Sequence, residues 1–308
     1  MEYRENMKTA TKKITIITIN YNDVSGMRKT AESIVSQEWY EFIEWIVIDG
    51  GSTDGSVELI RSYENKISYW ISEKDNGIYH AMNKGIIQAR GDYVIFRNSG
   101  DMMSSNDVVK RFLQHSAYGK YDHCAGISED FRDGIWYKNW YPFSSIGIQT
   151  FFRSAIAHHA VFTKRERFIN ELYDETMKIG ADMKFFMKDF LINNASYAVL
   201  DFPVCKFSIG GISCRNIELG TKEHERARKE LLPTFIYNEL KKIFSGNKKH
   251  EQILINTIYA RTWEFRVLAY FAWLLCLPRR CILKMVRLVE IVMKRPCRKF
   301  RRWVKHHQ

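Results

Sequence analysis

The chain has 308 residues, 45% of them apolar, enough to bury one large α/β core or two smaller ones. Its net charge of +12 is concentrated at one end: residues 279–308 hold eleven Lys and Arg against Glu290 alone, which leaves a nearly neutral globule with a basic tail. That distribution argues against a nucleic-acid-binding domain, which carries basic residues across its folded surface, and six cysteines without a CxxC pair or a His/Cys ligand spacing argue against zinc.

The first apolar run, ITIITI (14–19), is short and threonine-rich and reads as a strand, not a secretory segment. Unpaired thiols without an export signal favour the cytoplasm. Helical spacing follows over 27–36, then a buried strand WIVID (45–49), a Gly-Ser-Thr-Asp turn and a helix over 56–63. A strand at 67–72, a helix at 78–89 and a strand at 93–96 continue the alternation. Strands separated by crossover helices predict an α/β fold with a mostly parallel sheet flanked by helices. Ligands of such sheets bind at the strand carboxyl ends. The polar residues gather there: Asn20-Tyr21-Asn22, Asp49, Asp75, and the stretch from Asn98 to Asp101. Further on, an aromatic stretch spans 136–152, AVF (160–162) is strand-like, and a helix is expected near 182–193. A strand is expected around 197–200, then a loop SIGGIS, and charged helices from about Thr221.

No GxGxxG follows the first strand and no GxxxxGK[ST] occurs, which excludes dinucleotide and P-loop chemistry. In their place stand TINYN (18–22), IDGGSTDGS (48–56), EKDNGIYHAMNKG (73–85) and GDYVIFRNSGD (91–101). In order, spacing and strand-end placement this set resembles the family 2 glycosyltransferases with the GT-A fold, over roughly residues 12–215. The subgroup it looks like assembles bacterial surface polysaccharides such as O-antigen, capsule and exopolysaccharide.

A nucleotide-sugar donor explains the residue types independently. Tyr21 offers a ring to the base, and Asp49 and Asp75 offer acceptors to base or ribose. Lys84 offers charge to the diphosphate, and a divalent cation (Mg²⁺ or Mn²⁺) on hard oxygen ligands would offset the leaving group. The resemblance places FRNSGD on the DxD-type metal motif, with Asn98 at the first acid position and Asp101 at the last. Asn98 could hydrogen-bond ribose or a metal-bound water. Asp49 and Asp54 also fit turn and helix-cap chemistry, and Asp101 also fits a cap of the next helix. Two positions depart from the family pattern. Gly50 stands where a second acid is usual, so UDP and GDP donors both stay open, and His80, where an acid is common, reads as a helix-surface residue.

The acceptor side needs a general base. Asp182, after a Gly-Ala turn in MKIGADMKFFMKD (177–189), is the candidate, ahead of Glu175 and Asp189, with helix capping as the alternative. In AHHAVF, the resemblance puts His158 and His159 on the acceptor side, and adjacent residues of an extended segment face opposite ways. Trp136, Tyr137, Trp140 and Tyr141 fit either a sugar or lipid platform or core packing.

The expected organisation is a GT-A domain over 1–220, with a nucleotide-sugar half (about 12–101) and an acceptor half (about 102–220). A helical extension covers 221–262 and a C-terminal basic amphipathic tail 263–308. The apolar stretch 267–278 is too short to span a bilayer, and the tail reads as an interfacial helix on anionic lipid or as a helical cap on the globule. The function the resemblance implies is inverting, metal-dependent sugar transfer to a polyprenyl-diphosphate-linked glycan at the cytoplasmic face of the inner membrane, with no nucleic-acid partner. The alternative is a non-catalytic nucleotide-sugar-binding or scaffold protein of a polysaccharide assembly complex.

Overall fold

A computed structural model describes residues 12–132 and 134–245. Its first strand, β1 (Ile14–Asn20), lies between two parallel partners, β2 (Ile43–Asp49) and β4 (Tyr93–Phe96), with β3 (Tyr69–Ser72) parallel outside β2. Every residue of β1 and β2 is buried, as in parallel strands covered on both faces, so neither keeps a buried–exposed alternation. Alternate side chains feed two cores. Ile14, Ile16, Trp45 and Val47 join Met27 and Ile34 of α1 (Val24–Val35) and Leu59 and Ile60 of α2 (Ser56–Ser62). Ile17, Ile19, Ile46 and Ile48 join Met82 and Ile86 of α3 (Ile78–Gln88).

Beyond β4 the chain builds the other half of the sheet: β5 (Met102–Met103), α4 (Val108–Gln114), β6 (His123–Arg132), β7 (Ile135–Trp140) and α5 (Ile148–Arg153). After them come β8 (Val161–Lys164), α6 (Arg165–Ile169), α7 (Ala181–Leu191) and β9 (Tyr197–Ser208). The strand order among the described residues is β3-β2-β1-β4-β8-β6-β9-β5, with β7 paired to β6. β8 is antiparallel to both β4 and β6, and β9 runs parallel to β6. The halves are pinned together by Arg97, a wholly buried arginine just past β4. Its guanidinium donates to the carbonyls of Phe96, His159 and Val204.

The first helix starts three residues before the expected one because the Asp23 carboxylate accepts from Gly26 N at 2.9 Å and caps it. The strand expected at 197–200 continues to Ser208, held by β6 along its length. The expected domain boundary at 220 falls inside α9 (Ile217–Leu231), which follows the short α8 (Ile212–Arg215) and precedes α10 (Thr234–Ser245). One compact unit runs through Lys241, so α9 belongs to it. The tail expected at 263–308, and residues 246–262 before it, lie outside the described residues. Among those described, no helix is long and apolar enough to cross a membrane.

Candidate active site

The carboxyl ends of β1, β2 and β3 are tied by one buried carboxylate, and Asn20 extends the tie to the loop after β4. Asp49, with no exposed surface, accepts from Asn20 Nδ2 (2.7 Å), Ser52 Oγ (2.6 Å), Ser52 N (2.8 Å), Gly51 N (3.1 Å) and Ser72 Oγ (2.6 Å). Asn20 in turn accepts from Ser99 Oγ at 2.6 Å. Burial opposes the charge, but the bonds from Ser52, Ser72 and Asn20 outweigh it and hold Asp49 below the usual carboxylate range. Asp54 ties the same loops: Oδ2 accepts from Val24 N at 2.8 Å and Oδ1 from Ser56 Oγ at 2.6 Å. Asp49, expected from sequence to meet base or ribose, is thus buried and accepts five hydrogen bonds from the protein itself.

Beside this cluster Tyr21, Gly50 and Asp75 lie together. The Tyr21 side chain is 68% exposed. A Cβ at Gly50 would stand 3.1 Å from the Tyr21 ring and 3.3 Å from Asp75 Oδ2, so the glycine floors a narrow slot between them. Asp75 Oδ1 is held by Lys84 Nζ at 2.6 Å, and Lys84 also meets Glu73 at 2.7 Å. Partial burial opposes the ammonium, but these two contacts win and raise its pKa. A lysine so engaged suits orientation of Asp75 better than a free charge for phosphate. His80 lies 3.4 Å from Asp75 and accepts from Asn76 N at 3.2 Å.

The FRNSGD loop folds over α1. Gly100 N donates to Thr30 Oγ1 at 3.1 Å and Thr30 Oγ1 to Asp101 O at 2.7 Å. Asp101 caps no helix, because the chain enters β5 directly. Its side chain is buried, 3% exposed, and Oδ1 accepts from Ser208 N at 3.1 Å. Burial dominates and pushes its pKa up to about 7, against the Ser208 amide bond and then the pull of Arg97 and His158. Asn98 Oδ1 is buried without a protein partner. The described residues contain no cluster of three His, Cys, Asp or Glu ligands. One carboxylate and one orphaned amide oxygen fit a hard divalent cation whose other ligands are water and substrate phosphate.

Across the site, Asp182 lies in the first turn of α7, 8% exposed, and is not a cap. Its Oδ2 is 2.8 Å from His158 Nδ1 and its Oδ1 2.9 Å from the Tyr79 hydroxyl, which also meets Ile179 O. Burial opposes both charges, but the contact with His158 lowers the Asp182 pKa and the contact with Asp182 raises that of His158. His158 Nε2 is buried and unpartnered. The two histidines diverge, as expected, although from a 3-10 turn and not an extended segment. His159 stacks on Phe207 at 4.2 Å, and its Nε2 lies 3.0 Å from Ser128 Oγ. Because Ser128 donates to Asp130 Oδ1 at 3.1 Å, His159 is the donor to Ser128. Burial, then His158, hold His159 well below its ordinary pKa.

Glu175 accepts from Asn83 Nδ2 at 2.8 Å, while Asp189 is locked to Arg167 and His123. Asp189 is therefore not available as a base, and Glu175, an exposed residue, stands apart from the buried Asp182–His158 pair. Trp136, Tyr137, Trp140 and Tyr141 are exposed, not packed in a core. The sequence reading missed Tyr79 and Asn83. Their signal was an (i, i+4) pair of hydrogen-bonding residues on the stripe of α3 that also carries Met82 and Ile86.

Residues 15–190 match the family described as "Glycosyl transferase family 2". The chain is 31% identical over 210 residues to "Uncharacterized glycosyltransferase Rv1514c" of Mycobacterium tuberculosis, covering 66% of this chain and 78% of that protein. Among solved structures, residues 1–349 of Staphylococcus aureus TarS in complex with UDP-GlcNAc superpose with a TM-score of 0.59 at 17% identity, covering 77% of this chain and 74% of that one. This chain spans 42% of the longer TarS chain. The mannosyltransferase PcManGT of Pyrobaculum calidifontis, in complex with GDP-Man and Mn²⁺, gives a TM-score of 0.51 at 15% identity, covering 96% and 84%. At such identities the likeness concerns the fold.

The two buried acids make opposite contributions to stability. Asp49 has a folded pKa below its unfolded value, so its stabilisation is complete above about pH 4 and is lost as pH falls through the folded value. Asp49→Asn should cost about 1.5–3 kcal/mol at pH 7 in a denaturant titration. Asp101 has a raised folded pKa, so it costs stability as pH rises from about 4 towards about 7. In chelator-treated protein at pH 8, Asp101→Asn should be more stable than wild type by on the order of 2–4 kcal/mol, a gain that shrinks towards pH 4. A variant no more stable than wild type at pH 8 would refute this.

Proposed function

The chain belongs to glycosyl transferase family 2 and is a glycosyltransferase with the GT-A fold, and from that premise we propose how its residues divide the reaction. The donor is a nucleotide-diphospho-sugar of UDP or GDP type, lying over the carboxyl ends of β1 to β4. Tyr21 stacks on the base, and Asp75, oriented by Lys84, accepts from base or ribose. Asp49 acts from beneath, by fixing the loops that carry them. Asp101 and Asn98 would hold Mg²⁺ or Mn²⁺, and a cation bound there would supply charge stabilisation to the departing diphosphate. The two solved neighbours were captured with UDP-GlcNAc and with GDP-Man and Mn²⁺, which supports both the donor class and the metal.

Asp182, paired with His158, takes the proton from the acceptor hydroxyl. The acceptor oxygen forms its bond to the anomeric carbon while the bond to the phosphate oxygen breaks, and the diphosphate leaves with that electron pair. A single displacement of this kind inverts the anomeric centre. One observation carries the reading: α3 reaches both sides of the reaction. Its Lys84 holds Asp75 and its Tyr79 contacts Asp182.

The acceptor we favour is a polyprenyl-diphosphate-linked glycan in bacterial surface polysaccharide synthesis, met at the cytoplasmic face of the inner membrane. The basic, aromatic-containing sequence of residues 279–308 supports that setting through attraction to anionic lipid.

Asp182→Asn should lower transfer about 10²- to 10⁴-fold with donor binding retained by calorimetry, and Asp101→Asn should abolish stimulation by Mn²⁺. Near-normal transfer by both variants would sink the site assignment. Deleting residues 279–308 should release the protein from anionic vesicles in a sedimentation assay, and undiminished binding would defeat the membrane reading.

A further inference from the structure

The turn that delivers Asp182 is held from outside the segment that matches the family. Three consecutive backbone amides, those of Lys178, Ile179 and Gly180, converge on one carboxylate, Glu223 of α9. Oε1 accepts from Lys178 N at 2.8 Å, and Oε2 accepts from Ile179 N at 2.8 Å and Gly180 N at 2.9 Å. Glu223 is 8% exposed. The match to the family stops at residue 190, so this acceptor comes from beyond it.

Packing is as close as the hydrogen bonding. A Cβ at Gly180 would stand 3.0 Å from both Glu223 Cβ and His224 Cδ2, so the turn lies directly on α9. One turn further along α7, Lys184 reaches Glu230 of α9 at 2.6 Å and Asp174 at 2.7 Å. From the opposite side the Tyr79 hydroxyl meets Ile179 O and Asp182 Oδ1. The turn is therefore gripped on its amide side by α9 and on its carbonyl side by α3.

Successive amides point the same way only in a tight, specific backbone conformation, and such a concavity is stabilised by an anion at its focus. Without one, buried amides turn towards water, and the backbone moves with them. Asp182 is two residues downstream of Gly180, so it moves too. Displacing a reacting group by about 1 Å costs about 10²-fold in rate.

We propose that Glu223 is a positioning residue for Asp182, so that α9, although outside the matched family segment, completes the active site. The proposal rests on the reading of Asp182 as the base. It is tested in the full-length protein with Glu223→Ala and Glu223→Gln, and with Asp182→Asn as control. Amide hydrogen exchange is read at residues 178–180. Turnover of UDP-GlcNAc and of GDP-mannose with Mn²⁺, as slow hydrolysis, is read as kcat and KM. In Glu223→Ala the three amides should lose protection, and kcat should fall about 10- to 100-fold, with the donor KM within about twofold of wild type because Tyr21 and Asp75 are untouched. Glu223→Gln retains one acceptor oxygen and should lie between Glu223→Ala and wild type. It carries the test if Glu223→Ala does not fold. Exchange needs no donor, and unchanged protection at 178–180 overturns the proposal by itself. So does lost protection with undiminished kcat. An active Asp182→Asn would instead overturn the base assignment, whereas an inactive Asp182→Asn beside a fully active Glu223→Ala would overturn the positioning role alone.

Discussion

The buried Asp49 carboxylate is the constraint on which the donor half of the site depends. The string Ser99–Asn20–Asp49–Ser72 crosses the sheet in strand order, from the loop after β4 to β1, β2 and β3. A charge in this position is tolerated only because five donors meet it. Ser52 and Asp54 in turn accept from Asn22 N and Val24 N, which ties the loop after β1 to the loop after β2. Tyr21, Gly50 and Asp75 then lie together above the knot, not scattered along three separate turns.

Helix α3 performs a second kind of coupling. Its EKDNGIYHAMNKG motif carries two adjacent (i, i+4) pairs, and the helical pitch sends them different ways. His80 and Lys84 face Asp75, whereas Tyr79 and Asn83 reach into the second half, to Asp182 and to Tyr173 and Glu175. Asp75 and the candidate base are thus both held by one helix. Asp101 and Asn98 are the counterpoint: a carboxylate that burial pushes towards its neutral form and an amide oxygen without a partner. Both arrangements cost the folded protein stability, and both fit the cation proposed for this loop.

The donor half was largely legible. Its strands are short, mostly apolar runs with polar residues at or just past their ends, so the order of elements and those polar side chains followed from local pattern, although the first helix begins three residues early. Asp182 could be singled out as a candidate for the same reason, since it sits where a Gly-Ala turn meets an amphipathic helix. Less could be read where partners are distant. Asp49 looked like a nucleotide ligand because its spacing from the strand end says nothing of five donors drawn from three strands. Lys84 looked like a free charge because Glu73 and Asp75 lie a helix turn and a loop away. Arg97 gave no signal at all, since an arginine at a strand end normally implies exposure and here its bonds go to carbonyls of Phe96, His159 and Val204.

Local sequence therefore determined which elements form and which chemical groups stand at their ends, because hydrophobic period, turn residues and β-branching act over a few positions. The four ordered motifs determined the family in the same way. Only the tertiary structure decided which of those groups are spent on one another and which are left for a substrate. It turned Asp49 into a knot, paired Asp182 with His158 and Tyr79, and brought Glu223, more than forty residues downstream, under the turn that carries Asp182. Those outcomes depend on contacts across the sheet and between helices, and a carboxylate has the same local sequence whether its partners are water, a metal or three amides.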